Sequence, residues 1–431
     1  MILANGMIYD SGEQNRILST LEHRINETIL HQPLSTETVI AAFDELSSRL
    51  KRGDFYQITQ KIQLENMEHS LQTAVRMLRR SSMEYKVKAE LGQRFFEPKL
   101  TGPPLGFERI EVCPRPLGTL LHIAAGNMDI LPAYSVAEGL LAGNINILKL
   151  PSADQGLTLE IFSHLIDIEP KLRDYIYIFD TPSSDIEALR KMAEVSDGIA
   201  VWGGDEAVTA VRRLAPAGCP IIEWGHKLGF AYISGYEHKE AELAALAEHI
   251  MITKQLLCSS VQVIYLDTPH MDDLNDFAKT FLPYLEQAAV LHPVQDTGAI
   301  AEMTLRRYSD MLECTLLPPD RSGGKVYQGK QCSLTIAADN SLELSYMYGN
   351  CIIKRLPERE MMTHLRKAKG CLQTAGLICA PSRRARLTEL LIRCGVNRVM
   401  RAGNMSDSFL GEAHDGQYAL RQYTRIVNVA L

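Results

Sequence analysis

The sequence predicts an α/β protein with two doubly wound parallel sheets, a helical N-terminal segment and a C-terminal strand. Two runs in which short apolar strands alternate with amphipathic helices predict the sheets, one over residues 110–225 and one from residue 226 onward. Apolar residues at helical spacing before residue 110 predict the N-terminal segment. These patterns imply domains at 1–225 and 226–405 and a tail at 406–431.

Bulk composition limits the class of protein. At 431 residues the chain is longer than a single hydrophobic core usually accommodates. Its composition, with 46% hydrophobic and 23% charged residues, is typical of a soluble globular protein. The formal net charge of −7 argues against a nucleic-acid partner. No apolar run is long enough to span a membrane, and MILANGMIYD is unlike a signal peptide. Nine cysteines without C-x-x-C or zinc-ligand spacing favour a reducing cytoplasm and no metal.

The N-terminal segment shows packing patterns and no chemistry. Ser35 is an N-cap candidate for a helix whose apolar residues run from Val39 to Leu50. A second helix is predicted within 67–85, and the Gly/Pro cluster that ends 88–107 marks a boundary.

The first alternation is a candidate nucleotide-binding domain. Its predicted elements, in order, are strand 119–126, helix 130–143, strand 144–151, helix 157–167, strand 175–180, helix 184–195 and strand 197–204. Such sheets bind ligands beyond the carboxyl ends of their strands.

The second alternation continues to the C-terminus. Its predicted elements are strand 230–235, helix 239–257, strand 261–267, helix 272–290, a loop at 320–332, a segment 342–356, helix 359–373 and strand 376–380, followed by an edge-strand pattern over 419–431.

Three residues at element ends are chemical candidates. Asn127 follows a strand and suits an oxyanion donor or a helix N-cap. Glu223 ends an apolar strand, where a carboxylate serves as acid or base or forms a structural salt bridge. Cys258 precedes a buried strand, a position that favours a nucleophilic cysteine, although most cysteines are inert core residues.

The order of these residues resembles the aldehyde dehydrogenase superfamily, and within it the long-chain acyl-CoA reductases of bacterial bioluminescence. PLGTLLHIAAGN resembles the stretch that ends in the oxyanion-hole Asn, EWGHKLG the stretch with the catalytic Glu, and KQLLCSS the nucleophile segment. The resemblance implies an aldehyde-dehydrogenase-like fold and catalytic roles for Asn127, Glu223 and Cys258. Cys258 follows Glu223 by 35 residues, close to the usual interval.

The resemblance also implies cofactor contacts. AGNINILKLP resembles the segment whose Lys contacts the adenosine ribose, and AVWGGDEAV the glycine turn that faces the pyrophosphate. The residues implied are Ile123, Ala124, Lys149, Ser152, Gly203, Gly204, Trp224 and Gly225, with Glu343 as the candidate for the nicotinamide ribose.

Two departures from the family pattern affect these expectations. Ser152 stands where NAD-preferring members commonly carry a Glu, which leaves room for a 2′-phosphate and favours NADPH over NADH. Leu256 and Leu257 replace the usual glycine before the nucleophile, so the geometry around Cys258 is expected to differ.

The expected reaction is reduction of an acyl thioester, such as an acyl-CoA, to an aldehyde through an acyl-cysteine. Oxidative or CoA-acylating aldehyde dehydrogenation would use the same residues, and a non-catalytic subunit of an acyl-transfer complex is an alternative from another class. Partnership with an acyl-activating enzyme is compatible with this reaction. HDGQYALRQYTRIVNV resembles the tail that pairs with a neighbouring subunit, which implies a homodimer.

His122, His226 and His414 are further acid–base candidates, although histidines at such positions are more often structural.

Overall fold

Two compact units make up the chain. The computed structural model describes residues 1–31, 33–55, 72, 75–92, 97, 99–101, 110–124, 130–152, 154–316 and 325–430. The first unit comprises Met1–Gly225 together with Ser408–Leu431, and the second comprises His226–Asp407.

The first unit alternates strands and helices after an N-terminal hairpin. Its strands up to residue 225 are β1 (Ile2–Ala4), β2 (Met7–Tyr9), β3 (Lys99–Thr101), β4 (Ile110–Pro116), β5 (Thr119–Ile123), β6 (Ile145–Lys149), β7 (Ile176–Phe179), β8 (Gly198–Trp202) and β9 (Ile221–Trp224). Its helices are α1 (Gln14–Leu30), α2 (Thr36–Arg52), α3 (Arg80–Leu91), α4 (Leu131–Leu141), α5 (Leu157–Ile168), α6 (Ile186–Glu194) and α7 (Asp205–Leu214).

The larger sheet of the first unit has the strand order β2-β1-β7-β6-β5-β8-β9. Strands β5 to β9 pair in parallel, and β1 joins the edge antiparallel to β7. The chain runs outward from β5 through β6 to β7 and then returns to β8 on the other side. The topological switch point therefore lies between β5 and β8, where such sheets bind ligands.

The predicted helix start at Ser35 is confirmed. The Ser35 hydroxyl accepts the backbone N–H of Thr38 at 3.1 Å, which satisfies one of the unpaired donors of the first turn of α2. Gly53 ends the helix with a φ of 80°, a conformation that favours glycine.

The second unit has its own sheet and helices. Its strands are β10 (Leu228–Ser234), β11 (Val261–Leu266), β12 (Lys325–Gln328), β13 (Ser333–Ile336), β14 (Asn350–Arg355), β15 (Leu372–Cys379) and β16 (Arg398–Arg401). Its helices are α8 (Lys239–Thr253), α9 (Met271–Leu291), α10 (Thr297–Leu316), α11 (Glu358–Leu365) and α12 (Arg384–Cys394).

The strand order in the second unit is β12-β13-β14-β11-β10-β15-β16, parallel except that β12 runs antiparallel to β13. Strand β12 lies where the sequence predicted a loop over 320–332. The predicted helix 359–373 was too long, because α11 ends at Leu365 and a turn at Gly370, with a φ of 89°, leads directly into β15. Both units nevertheless have the α/β architecture that the sequence predicted.

The C-terminal residues fold onto the first unit. A short helix, α13 (Ala419–Gln422), precedes β17 (Thr424–Val429), which pairs antiparallel with β4. Strands β17, β4 and β3 form a separate three-stranded sheet in which β17 lies at an edge.

Within the described residues, no helix is both long and apolar enough to cross a membrane. The same part of the chain holds no group of three or more His, Cys, Asp or Glu arranged to bind a metal ion.

Candidate active site

Cys258 lies in an exposed turn between α8 and β11. The turn is closed by two hydrogen bonds, because the Ser260 N–H donates to the Leu257 carbonyl at 2.9 Å and the Leu257 N–H donates to the Ser260 hydroxyl at 3.1 Å. The thiol is therefore accessible while the backbone that carries it is fixed.

The backbone before this turn adopts a left-handed conformation without glycine. Lys254 and Gln255 have φ values of 50° and 62°, and Met347 and Tyr348, which lie opposite, have values of 63° and 50°. The two segments contact each other through the Tyr348 N–H, which donates to the Lys254 carbonyl at 2.8 Å. Left-handed non-glycine residues cost about 1 kcal/mol or more each and cluster at functional sites.

Two buried glutamines hold the strained segment in place. The Gln255 amide donates to the Val261 carbonyl at 2.8 Å and accepts the Gly349 N–H at 3.1 Å. The Gln262 amide donates to the Gln255 carbonyl at 2.8 Å and accepts the Ser345 hydroxyl at 2.8 Å. Because buried amides are costly to leave unpaired, these bonds fix the path of the chain into the Cys258 turn.

A third buried glutamine contacts the sulfur itself. Gln373, on β15, donates from Nε2 to Cys258 Sγ at 3.1 Å. The sequence reasoning missed this residue, because 115 positions separate it from Cys258 and only strand pairing brings the two together.

Glu223 forms a bidentate ion pair with Arg212 of α7. Arg212 Nε donates to Oε1 at 2.6 Å, and Nη2 donates to Oε2 at 2.7 Å. The carboxylate side chain is 28% exposed, and its charge raises the pKa of the Arg212 guanidinium. Glu223 is thus a solvent-accessible, ion-paired carboxylate in the first unit, whereas Cys258 belongs to the second. The sequence reasoning missed Arg212 as the partner.

Asn127 lies outside the described residues. The described chain stops at Ala124, just beyond the end of β5, and resumes at Ile130 before α4. Ile123 is half-buried and Ala124 is buried at this strand end, beside the switch point of the sheet. The role assigned to Asn127 stays a prediction.

Lys149 is a buried cation at the end of β6. Its side chain is 6% exposed, its Nζ donates to the Ser183 hydroxyl at 2.8 Å, and burial lowers the pKa of its ammonium group. A buried ammonium beside a hydroxyl rather than a carboxylate retains donor capacity for a ligand. Ser152 follows in an exposed turn.

The glycine turn after β8 leads directly into the N-terminus of α7, which no side chain caps. Gly204 precedes α7, no side chain caps that helix, and no atom lies within 4 Å of where a Cβ of Gly204 would stand. Open backbone N–H groups at a helix start suit a phosphate. Asp205 and Glu206 of the first turn are exposed carboxylates that must face away from such an anion.

Trp224 is buried and stacks on Trp202. The two rings are 5.2 Å apart at an interplanar angle of 27°, and His414 packs against both at 5.2 Å. The Gly203 N–H donates to the Trp224 carbonyl at 3.2 Å, so the ends of β8 and β9 are held together. Gly225 follows Trp224 with open space where a Cβ would stand.

Glu343 is engaged by a buried lysine. Lys354 is completely buried and donates to both Glu343 and Asp339, the latter at 2.7 Å. The Glu343 carboxylate, which the family resemblance assigned to the nicotinamide ribose, therefore neutralises the charge of the buried Lys354. Its role in cofactor binding stays a prediction.

His122 is a structural residue in this fold. Its Nδ1 contacts the Ser135 hydroxyl at 2.7 Å and its Nε2 contacts Asn146 Oδ1 at 3.0 Å. Burial lowers its pKa to about 4, so the ring is neutral near pH 7.

The residues of the first unit fit a nicotinamide dinucleotide. Ile123, Ala124, Gly203 and Gly204 flank the switch point between β5 and β8, and Lys149 supplies a buried donor at the adjacent strand end. The combination of a cationic donor, an open helix N-terminus and a sheet switch point is the arrangement that such cofactors require.

Comparison with known sequences identifies the family. The family model "Acyl-CoA reductase (LuxC)" matches residues 31–426. A long-chain acyl-protein thioester reductase of Photorhabdus luminescens is 22% identical over 79% of this chain and 69% of its own length. Those of Photobacterium leiognathi and Aliivibrio fischeri are 25% and 22% identical over 73% of this chain. In these two cases the chain spans less than two thirds of the relative, 63% and 64%.

Solved structures establish the fold. Lactaldehyde dehydrogenase from Escherichia coli matches with a TM-score of 0.71 at 14% identity, over 98% of this chain and 92% of that chain. An NAD-dependent benzaldehyde dehydrogenase from Corynebacterium glutamicum matches with a TM-score of 0.69 at 14% identity, over 98% and 90%. The chain therefore belongs to the acyl-CoA reductase (LuxC) family and has the aldehyde dehydrogenase fold.

Proposed function

We propose that this protein reduces an acyl thioester to an aldehyde, with NADPH as the reductant and Cys258 as the nucleophile. The single observation that carries the proposal is Cys258 itself, an exposed thiol on a rigid turn in a chain of the acyl-CoA reductase family. The relatives named above are long-chain acyl-protein thioester reductases, so a long acyl chain is the substrate class we favour.

Cys258 performs the covalent step. Its thiolate attacks the acyl carbonyl, the carbon–sulfur bond to the carrier breaks, and the carrier leaves as a thiolate that takes up a proton. The cofactor, when bound, supplies the hydride that brings the acyl group to the aldehyde oxidation level. Cleavage of the bond to Cys258 Sγ then releases the aldehyde and restores the thiolate.

Glu223 and Asn127 have supporting roles in this proposal. The Glu223 carboxylate, which Arg212 holds by two hydrogen bonds, exchanges protons with the carrier thiol or with solvent. The Asn127 amide and the Cys258 N–H donate to the oxyanion that forms during acyl transfer.

NADPH preference is supported by the chain after β6. Ser152 is small, neutral and exposed. The nearest following carboxylate in the sequence, Asp154, is occupied because it accepts the Gly156 N–H at 2.9 Å and approaches the Thr158 N–H of α5. A 2′-phosphate near Ser152 would therefore meet less negative charge than it would beside a Glu at that position.

A cytoplasmic homodimer is the molecular form we favour. None of the eight cysteines whose side chains are described forms a disulfide bond, which fits a reducing compartment. Strand β17 lies at a sheet edge with Ile426 62% exposed, and an apolar edge strand is a natural pairing surface for a second copy. The acyl donor is coenzyme A or a carrier protein, and an acyl-activating enzyme is a partner compatible with that chemistry.

Intact-mass spectrometry with a panel of acyl-CoAs of increasing chain length tests the proposal. We expect an acyl adduct on the wild-type chain, its absence in Cys258→Ala, and its discharge as aldehyde on addition of NADPH faster than on addition of NADH. Cys219→Ala, which removes a half-buried thiol in the first unit, is the matched control and should leave the adduct unchanged.

Two outcomes would overturn the proposal. Equal labelling of Cys258→Ala would remove the nucleophile assignment. Oxidation of a long-chain aldehyde to the free acid by NADP⁺, with no adduct from any acyl-CoA or acyl-carrier donor, would identify an oxidative dehydrogenase instead.

A further inference from the structure

Strand β10 brings the Cys258 turn close to β15. It lies between β11 and β15 in the sheet, and its register shifts at Gly229, which marks a bulge. A Cβ on Gly229 would stand 2.5 Å from the Ser260 carbonyl oxygen, so only glycine allows the turn this close to β10. The bulge therefore lets the Cys258 side chain reach across toward Gln373 on the next strand.

The Gln373 side chain is buried and oriented. It is 6% exposed, and its Oε1 accepts the Thr374 hydroxyl at 3.3 Å, which leaves Nε2 directed at Cys258 Sγ at 3.1 Å. Gln255 and Gln262 use their amides to bond backbone groups of the chain around the turn, whereas Gln373 donates to the sulfur.

We infer that Gln373 is a catalytic residue that stabilises the Cys258 thiolate, both for attack on the acyl donor and for its departure when the aldehyde is released. This inference rests on the proposed function for its catalytic meaning. A thiolate is a much stronger hydrogen-bond acceptor than a thiol, so a donor fixed at the sulfur favours the ionised form. Because an amide does not titrate, Gln373 provides this stabilisation over the whole pH range in which the protein is folded.

The same contact assists both halves of the reaction. During acyl transfer the sulfur lone pair forms the new bond to the acyl carbon while the carrier thiolate leaves. During release the carbon–sulfur bond breaks and its electron pair returns to Sγ. The Gln373 N–H donates a hydrogen bond to this sulfur and thereby stabilises its negative charge. The hydride belongs to the nicotinamide cofactor, and the overall balance of the reaction is unchanged.

The pH dependence of Cys258 alkylation by iodoacetamide tests the inference without any substrate. Peptide mass spectrometry follows modification at Cys258 in the full chain from pH 5.5 to 9.5. In Gln373→Leu we expect the midpoint of the profile to rise by about 1 pH unit and the rate at pH 7 to fall about tenfold. The exposed Gln331→Leu makes the same chemical change in the same unit and should reproduce the wild-type profile.

A second variant guards against loss of folding in Gln373→Leu. Gln373→Glu keeps the shape of the side chain but places a carboxylate at the sulfur, so the midpoint should rise further than in Gln373→Leu. In steady-state reduction both variants should lower kcat while KM for the acyl thioester changes less than twofold.

An unchanged alkylation profile in a folded Gln373→Leu or Gln373→Glu would overturn the inference. Failure of the proposed function is distinguishable, because it would show as absent acyl adducts in the wild-type chain while the alkylation midpoint still shifts on changing Gln373.

Discussion

His122 and His249 are buried histidines, one in each unit, whose rings are neutral near pH 7. Burial lowers the pKa of each to about 4, although Asn146 and Asp407 respectively act in the opposite direction. His249 Nε2 has no hydrogen-bond partner among the described residues. An unfolded chain would bind protons at these histidines near pH 6.5, whereas the folded chain would not.

We therefore expect stability to fall as the pH drops from 6.5 toward 4. Over that range the unfolded state carries more protons, so the free energy of unfolding decreases with decreasing pH. Each histidine should contribute a loss of about 1 kcal/mol between pH 7 and pH 5.5. Urea unfolding at these two pH values, monitored by circular dichroism, measures the difference.

His249→Gln should remove about half of this pH dependence, whereas His23→Gln, which changes an exposed histidine, should leave it intact. The comparison uses the difference between the two pH values, so a change in absolute stability does not affect it. Equal pH dependence in the wild type and His249→Gln would contradict the expectation.

Sequence reasoning reached Cys258 and Glu223 but not the residues that hold them. Element ends and a family resemblance are local signals, and both residues have them. Gln373 and Arg212 carry no such signal, because a glutamine in a strand and an arginine in an amphipathic helix are ordinary. Their partners are set by strand pairing and by packing of α7 on the sheet, which only the folded chain reveals.

At the scale of elements, the α/β alternation was predicted well and its interruptions were not. Each of the four predicted strands between residues 119 and 204 contains an observed strand, and the observed strands are shorter. Periodicity failed at β12, a half-exposed strand in a polar segment. The strand predicted at 376–380 overlaps the second half of β15, whose first residues had been assigned to the preceding helix.

A buried ionic cluster joins three helices of the first unit. Lys86 of α3 is 2% exposed and forms ion pairs with Glu90 and, at 2.7 Å, with Glu138 of α4. Glu90 Oε2 also accepts the Leu420 N–H of α13 at 2.8 Å. Burial raises the pKa of Glu90. Burial acts to lower the pKa of Lys86, but Glu138, Tyr134 and Glu90 together outweigh it and raise that pKa. The cluster therefore depends on the single ammonium that neutralises it.

Lys86→Met should destabilise the chain by about 3–5 kcal/mol, because it leaves two buried carboxylates without their cation. Adding Glu138→Gln should recover part of this loss, since one of the uncompensated charges is then removed. Urea unfolding at pH 7 measures both effects.

The matched control is Lys88→Met on the exposed face of the same helix, for which a change within about 0.5 kcal/mol is expected. If Lys86→Met stays within 1 kcal/mol of the wild type, the cluster does not stabilise the unit as described.

For the whole molecule, each unit is stabilised by apolar clusters of its own. Buried residues on both faces of the larger sheet form two clusters in the first unit, and two further clusters flank the sheet of the second. The sequence indicated two sheets from two alternations. It could not show that Ser408–Leu431 folds with the first unit, because that depends on pairing between β17 and a strand more than 300 residues earlier.

The C-terminal segment thus has two separable parts. Leu420 and Tyr423 are completely buried in the core of the first unit, whereas β17 pairs with β4 only along one edge. Removal of 408–431 should therefore unfold the first unit, whereas removal of 424–431 should leave it folded and abolish the proposed dimer. Size-exclusion chromatography with light scattering measures the mass, and thermal unfolding reports the fold.

Ile426→Lys tests the same surface without shortening the chain. A charge on the exposed side of an apolar edge strand opposes association with a second copy and costs little within one chain. We expect a folded monomer whose melting temperature, after correction for the concentration dependence of the dimer, matches that of the wild type. Arg425→Lys keeps the charge at the neighbouring exposed position and should remain dimeric. A dimer that survives both Ile426→Lys and removal of 424–431 would place the subunit interface on another surface of the protein.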